Sequence, residues 1–190
     1  RFIRSFHLLE TDIENNNVDN ILKFPQIEKF IYESVEEGST IKNYIDFKSM
    51  TKLNELSIDI DENFLLFSNF EKLPIESLVL YSRKSDNFVE LKQSLEKVFL
   101  LKKIKKLIIA TGDYNDEKIL EISGKNISLE DLEISWLVEK STFSVFNLQD
   151  KFPNLTNLSF SENIDKMDNT SIEVKENKNC KIQKIKCISN

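Results

Sequence analysis

Three glycines, three prolines, two cysteines, one histidine and one tryptophan are all that 190 residues provide of those types. Each scarcity removes a class of function. Gly38, Gly112 and Gly124 are scattered, so there is no phosphate-cradling loop and no dinucleotide fingerprint, both of which need clustered glycines to bring backbone against phosphate. His7 stands alone, without companions for a metal site or a nucleophile–base pair. Cys180 and Cys187 allow at most one disulfide, and zinc would need two further ligands at suitable spacing. No apolar run approaches the roughly 20 residues of a membrane-crossing helix, and no signal peptide is present. Acidic pairs such as Glu36-Glu37 and Glu130-Asp131 are read as solvated charge, because 32 acidic residues make such pairs inevitable. No catalytic residue, cofactor site or metal site is expected. A net charge of −6 argues against a dedicated nucleic-acid binder, which needs a basic face.

What the chain does have is a pattern. Hydrophobic content of 40% beside 31% charged residues fits a folded, soluble protein. The segment Ile75-Glu76-Ser77-Leu78-Val79-Leu80 carries apolar residues at positions one, four and six. The same arrangement recurs as Ile3/Phe6/Leu8, Ile27/Phe30/Tyr32, Leu53/Leu56/Ile58, Ile104/Leu107/Ile109, Leu129/Leu132/Ile134, Leu155/Leu158/Phe160 and Ile182/Ile185/Cys187. Successive first positions lie 24, 26, 22, 29, 25, 26 and 27 residues apart. Self-similarity at such a period marks stacked supersecondary units that bury their apolar faces on one another. All three prolines, in Phe24-Pro25-Gln26, Leu73-Pro74 and Phe152-Pro153-Asn154, fall just before a unit. Proline there ends a preceding helix and sets an extended approach.

On these motifs the chain resembles an irregular leucine-rich repeat protein, over essentially all 190 residues. The resemblance implies an α/β, right-handed horseshoe solenoid of about eight repeats of 22–29 residues. A parallel sheet would line its concave side, with short helices or irregular segments on the convex side. One domain, 1–190, is expected, as a fragment of a longer protein. The asparagine common at position nine of the family occurs only as Asn163 and Asn190, with Asp61 as a substitute, which departs from the family pattern.

Between strands, apolar spacing predicts helices over Val18–Phe24, Asn63–Leu73, Asn87–Lys103 and Asn115–Ile122. A convex segment runs over Ile41–Met50, and an extra strand fits Ser171–Lys175. The basic run Lys102-Lys103-Ile104-Lys105-Lys106 is read as a helix end, where Lys102 and Lys103 complement the dipole. Asn-x-Ser/Thr sequons at Asn126, Asn154, Asn157 and Asn169 are read as chance products of an asparagine- and serine-rich chain.

Side chains alternate faces along a strand, so positions three, five and seven of each unit point away from the core. There the chain places Ile31, Val79, Tyr81 and Ile108, apolar residues with no duty inside, together with Trp136 at a strand edge. Exposed aromatic and aliphatic groups rimmed by charge mark a recognition surface. The acidic members Glu33, Glu55, Asp59, Asp131 and Glu133 favour a basic protein partner. The expected function is therefore a non-enzymatic module that recognises a partner protein or peptide on its concave sheet. The resemblance extends to substrate-reading adaptors and microbial effectors. The rivals are a structural subunit of a larger complex and a leucine-rich repeat regulator of an enzyme. The absence of cysteine-stapled caps favours a reducing, intracellular compartment, with a secreted effector as the alternative; membrane insertion is not expected.

Overall fold

The computed structural model describes residues 3–10, 25–34, 47–59, 72–82, 88–111, 118–121, 124–136, 141–146, 148–162, 171–175 and 184–189. Eleven strands are assigned. They are β1 (Ser5–Glu10), β2 (Lys29–Ser34), β3 (Glu55–Asp59), β4 (Ser77–Ser82), β5 (Lys106–Thr111), β6 (Lys118–Glu121), β7 (Asp131–Trp136), β8 (Ser141–Phe146), β9 (Asn157–Glu162), β10 (Ser171–Lys175) and β11 (Lys184–Ser189). Two helices, α1 (Phe88–Val98) and α2 (Leu148–Lys151), and a 3-10 turn at Phe47–Ser49 complete the described elements. The strands form a long parallel sheet in the order β1-β2-β3-β4-β5-β7-β9-β11, and a second sheet in the order β10-β8-β6. The architecture is a parallel-strand solenoid with few helices among the described residues.

Register follows the apolar pattern. Position four of each unit lies opposite position four of the next: Phe6 with Phe30, Phe30 with Leu56, Leu56 with Leu78, Leu78 with Leu107, Leu107 with Leu132, and Leu132 with Leu158. Position six forms a parallel row through Tyr32, Ile58, Leu80, Ile109 and Ile134. Both rows are buried apart from Phe6, which is partly buried at the start of the stack, and so are the position-one residues Ile27, Leu53, Ile75, Ile104, Leu129 and Leu155. A slip of one residue would turn each strand inside out, so this burial fixes the register. At the start of the stack Phe6 lies over Phe30 with ring centroids 5.9 Å apart, and Phe47 meets Phe30 edge-on at 5.6 Å.

The backbone adds a second repeating feature. The carbonyl at position two of a unit accepts two amides from the next. Arg4 O takes Glu28 N and Lys29 N, Glu28 O takes Asn54 N and Glu55 N, and Asn54 O takes Glu76 N and Ser77 N. Glu76, Lys105 and Glu130 continue the series at 2.8–3.1 Å. A carbonyl has two lone pairs and can accept both donors. Positions two and three must then donate, which excludes proline from them. Pro25, Pro74 and Pro153 stand earlier, where no such amide is required.

The back of the stack departs from expectation. Asn115–Ile122 was expected to be helical, yet its described part, Lys118–Glu121, is strand β6, paired in parallel with β8, which in turn pairs with β10. An isolated helix this short is marginal, whereas a parallel neighbour supplies hydrogen-bond partners along its length. Ser141–Phe146, rich in Thr, Phe and Val, favours the same state. Ser171–Lys175 is a strand, as expected. Helix α1 buries Leu91, Leu95 and Val98 and exposes Lys92, Gln93 and Glu96, the spacing of a one-sided helix. It stops at Val98 rather than Lys103: Leu100 N bonds Lys97 O and Leu101 N bonds Val98 O, a tightened last turn. The predicted helices Val18–Phe24 and, but for Lys72 and Leu73, Asn63–Leu73 lie outside the described residues, as do Asp61, Asn163 and Asn190. So does Ile41–Met50 up to Phe47, whose side chain is buried as expected.

Asn126 and Gly124 tie two neighbouring units together. Asn126 is 5% exposed. Its Nδ2 donates to Phe99 O at 3.1 Å and Leu101 O at 2.8 Å, while its Oδ1 accepts from Ser128 N, Ser128 Oγ and Leu129 N. Both amide hydrogens are used, so this sequon has no free nitrogen for a glycan. A Cβ on Gly124 would stand 2.0 Å from Phe99 Cδ2, and Phe99 in turn lies 5.3 Å from Phe152; glycine is required for that approach.

Two consequences are measurable. Asn126→Ala strands two buried carbonyls and lowers unfolding free energy in urea by about 2–3 kcal/mol, against about 1 kcal/mol or less for exposed Asn154→Ala; equal losses would contradict the clamp. Gly124→Ala displaces the Phe99 ring and costs about 1–3 kcal/mol by the same titration.

Candidate functional site

Alternation places one side of the long sheet away from the core. On it β2 contributes Lys29, Ile31 and Glu33, β3 Glu55 and Ser57, β4 Ser77, Val79 and Tyr81, β5 Lys106 and Ile108, and β7 Asp131 and Glu133. Ile31, Ser57, Val79, Ile108 and Glu133 form one in-register row across five strands. Asp59, Tyr81, Ala110 and Ser135 form the next.

Ser57 is small and sits between Ile31 and Val79, so the row dips at β3. Ser77 widens the dip on β4. The result is a shallow hollow of about 440 Å³ walled by Ile31, Val79, Tyr81 and Ile108, with Lys29, Glu55 and Lys106 at its strand-start side. Four of the eight residues expected to bind a partner are thus brought together: Ile31, Val79, Tyr81 and Ile108. Each of them is half-buried, with surface left for contact. The serines that shape the hollow stand at outward positions, Ser57 at position five of its unit and Ser77 at position three. Their sequence signal is a small residue between bulky ones on adjacent units, which becomes visible only once the register is known.

The remaining four lie differently. Glu33 faces His7, with Oε1 to Nε2 at 3.4 Å. Glu133 is in register with Ile108 on β7, outside the residues that line the hollow. Trp136 is the last residue of β7, in register with Thr111 and Glu162; its side chain lies outside the described set. Asp59 had been placed on the open face. Instead it is 6% exposed beside Tyr81 in register, and a covered carboxylate cannot present its charge to a partner.

Charge on this face is largely engaged. Lys29 Nζ reaches Glu55 Oε2 at 2.8 Å, with both side chains about half exposed, and Asn157 Nδ2 donates to Asp131 Oδ1. Of the five carboxylates read as favouring a basic partner, Glu33, Glu55 and Asp131 make such contacts and Asp59 is buried. Glu133 is left. No group of three or more His, Cys, Asp or Glu among the described residues could hold a metal ion. No described helix is long and apolar enough to cross a membrane. Compared with known proteins, the chain matches no family model, no curated relative and no solved structure.

Because the Lys29–Glu55 pair is open to solvent, its coupling in a double-mutant cycle should be about 0.2–1 kcal/mol and should shrink with salt. A coupling above about 2 kcal/mol would mean that solvent does not screen the pair.

Proposed function

We propose that the chain is a leucine-rich repeat array of about eight units, a right-handed horseshoe with the long sheet on its inner side. Its role is non-enzymatic binding of a partner protein or peptide on that sheet. The hollow walled by Ile31, Val79, Tyr81 and Ile108 is the observation that supports this reading. Residues at these positions do not fill the core, which is built from positions one, four and six together with Phe47, Met50, the buried side of α1 and Phe152. An apolar side chain of the partner seated among them would lose water on all sides, the setting in which a few anchors carry most of the binding energy. Tyr81 suits that role, since it offers a large rigid ring with a polar end.

Glu33 with His7, Lys29 with Glu55, and Glu133 would rim the contact and set its orientation more than its strength. A basic partner, in this arrangement, would owe its preference to Glu133 more than to the engaged carboxylates.

The test is a binding comparison on the folded chain once a partner is in hand. Tyr81→Ala and Ile108→Ala should each weaken binding about tenfold or more. Ser57→Trp, which fills the hollow, should abolish binding while leaving the melting temperature close to that of the parent. Partner binding that survives all three, and is lost instead on substitution of the back or ends of the stack, favours the structural-subunit reading and ends this one.

A further inference from the structure

The side of the stack where strands begin is basic on an acidic protein. The chain carries 26 basic and 32 acidic residues, yet the turns leading into successive strands expose Lys52, Lys72, Lys102, Lys103, Lys105 and Lys125. Against them stand Glu28, Glu76, Glu130 and Asp150. Glu28 faces Arg4 at 3.7 Å and Glu76 takes Lys105 at 3.1 Å. Lys102, Lys103 and Lys125 make no ion pair or side-chain hydrogen bond among the described residues. Nor do Lys102 and Lys103 serve the helix dipole, because α1 ends at Val98 and carries Lys97 in its last turn.

These lysines are held together. Asn126, next to Lys125, bonds Leu101 O, next to Lys102, so two adjacent turns are clamped with like charges side by side. The same two turns hold Leu100 and Ile127, 62% and 66% exposed, two of the three large hydrophobic residues exposed on the described chain. Each is two residues from an unpaired lysine. A neighbouring hollow of about 460 Å³, lined by Lys48, Thr51, Lys72, Leu73 and Pro74, continues the strip.

We propose that this leading edge, centred on Lys102, Lys103, Lys125, Leu100 and Ile127, is a docking site for an acidic peptide segment of a protein partner in which carboxylates alternate with aliphatic side chains. The chemistry matches on both counts: ammonium groups for the carboxylates, and aliphatic surface for the apolar residues between them. Nucleic acid is the poorer match, because stacking on bases uses aromatic or arginine planes and the strip supplies leucine, isoleucine and lysine. An anionic membrane is also a poorer match. A flat anionic surface meets the whole chain, whose net charge is −6, whereas a short peptide meets the lysines of the strip alone.

The experiment is fluorescence anisotropy on the whole chain with a labelled peptide of Glu-Glu-Leu repeats. A Lys-Lys-Leu peptide, a single-stranded oligonucleotide and phosphatidylserine vesicles are run alongside. The acidic peptide should bind, and more weakly as salt rises. Lys102→Glu with Lys103→Glu, and separately Lys125→Glu, should each weaken it about tenfold or more. Leu100→Ser with Ile127→Ser should weaken it several-fold. Melting temperatures should stay near that of the parent, since all five side chains are exposed. Tyr81→Ala should leave this peptide's affinity unchanged, which separates this site from the sheet-face reading. Failure of the acidic peptide to bind, indifference to the charge reversals, or equal or tighter binding of the oligonucleotide or vesicles would overturn the proposal.

Discussion

One carbonyl per unit, accepting two amides from the next, holds the stack together at the point where each strand begins. This double acceptance recurs from Arg4 to Glu130 and fixes both the spacing of neighbouring strands and the line along which they start. With the start fixed, alternation does the rest: positions four and six fall inward, positions three and five outward. The inward rows are then buried only against neighbouring units, which is why the stack must be continuous to be stable. The outward rows and the leading edge inherit their geometry from the same ladder, and the Asn126 side chain adds a clamp between two turns of that edge.

The strands were legible because their signal is local and repeated. Leu56, Leu78, Leu107 and Leu132 lie side by side in neighbouring strands, as their spacing in the sequence required. The segments between strands were less legible. Lys118–Glu121 became a strand because β8 lies beside it, a partner that no local pattern reveals. Helix α1 ended early because its last carbonyls were satisfied by a tight turn through Leu101, leaving Lys102 and Lys103 outside the dipole's reach. Asn126 carried no signal beyond a sequon, since its bond partners Phe99 and Leu101 are about a whole repeat away in sequence. The candidate face was half legible. Alternation identified Ile31, Val79, Tyr81 and Ile108 as outward, but that Asp59 would be covered while its strand neighbour Ser57 opened a hollow depended on the adjacent strands.

Two surfaces of different chemistry result. The sheet face offers an apolar hollow with mostly engaged charge around it, suited to an anchor side chain. The leading edge offers Lys102, Lys103 and Lys125, unpaired among the described residues, beside exposed aliphatics, suited to an extended acidic segment. Lys106 borders both. A single partner could therefore place an anchor on the face and a tail along the edge, and linking two modest contacts in this way raises affinity without any new contact within either.

The most direct test of the stacked, in-register account is a distance between two labelled strands. With Cys180 and Cys187 replaced by serine, spin labels at Lys29→Cys on β2 and Asn157→Cys on β9 sit at equivalent positions five strand spacings apart in the sheet order. Pulsed dipolar spectroscopy should then give one defined peak at about 24 Å, whereas a peak beyond about 40 Å, or no defined peak, would contradict the parallel stack.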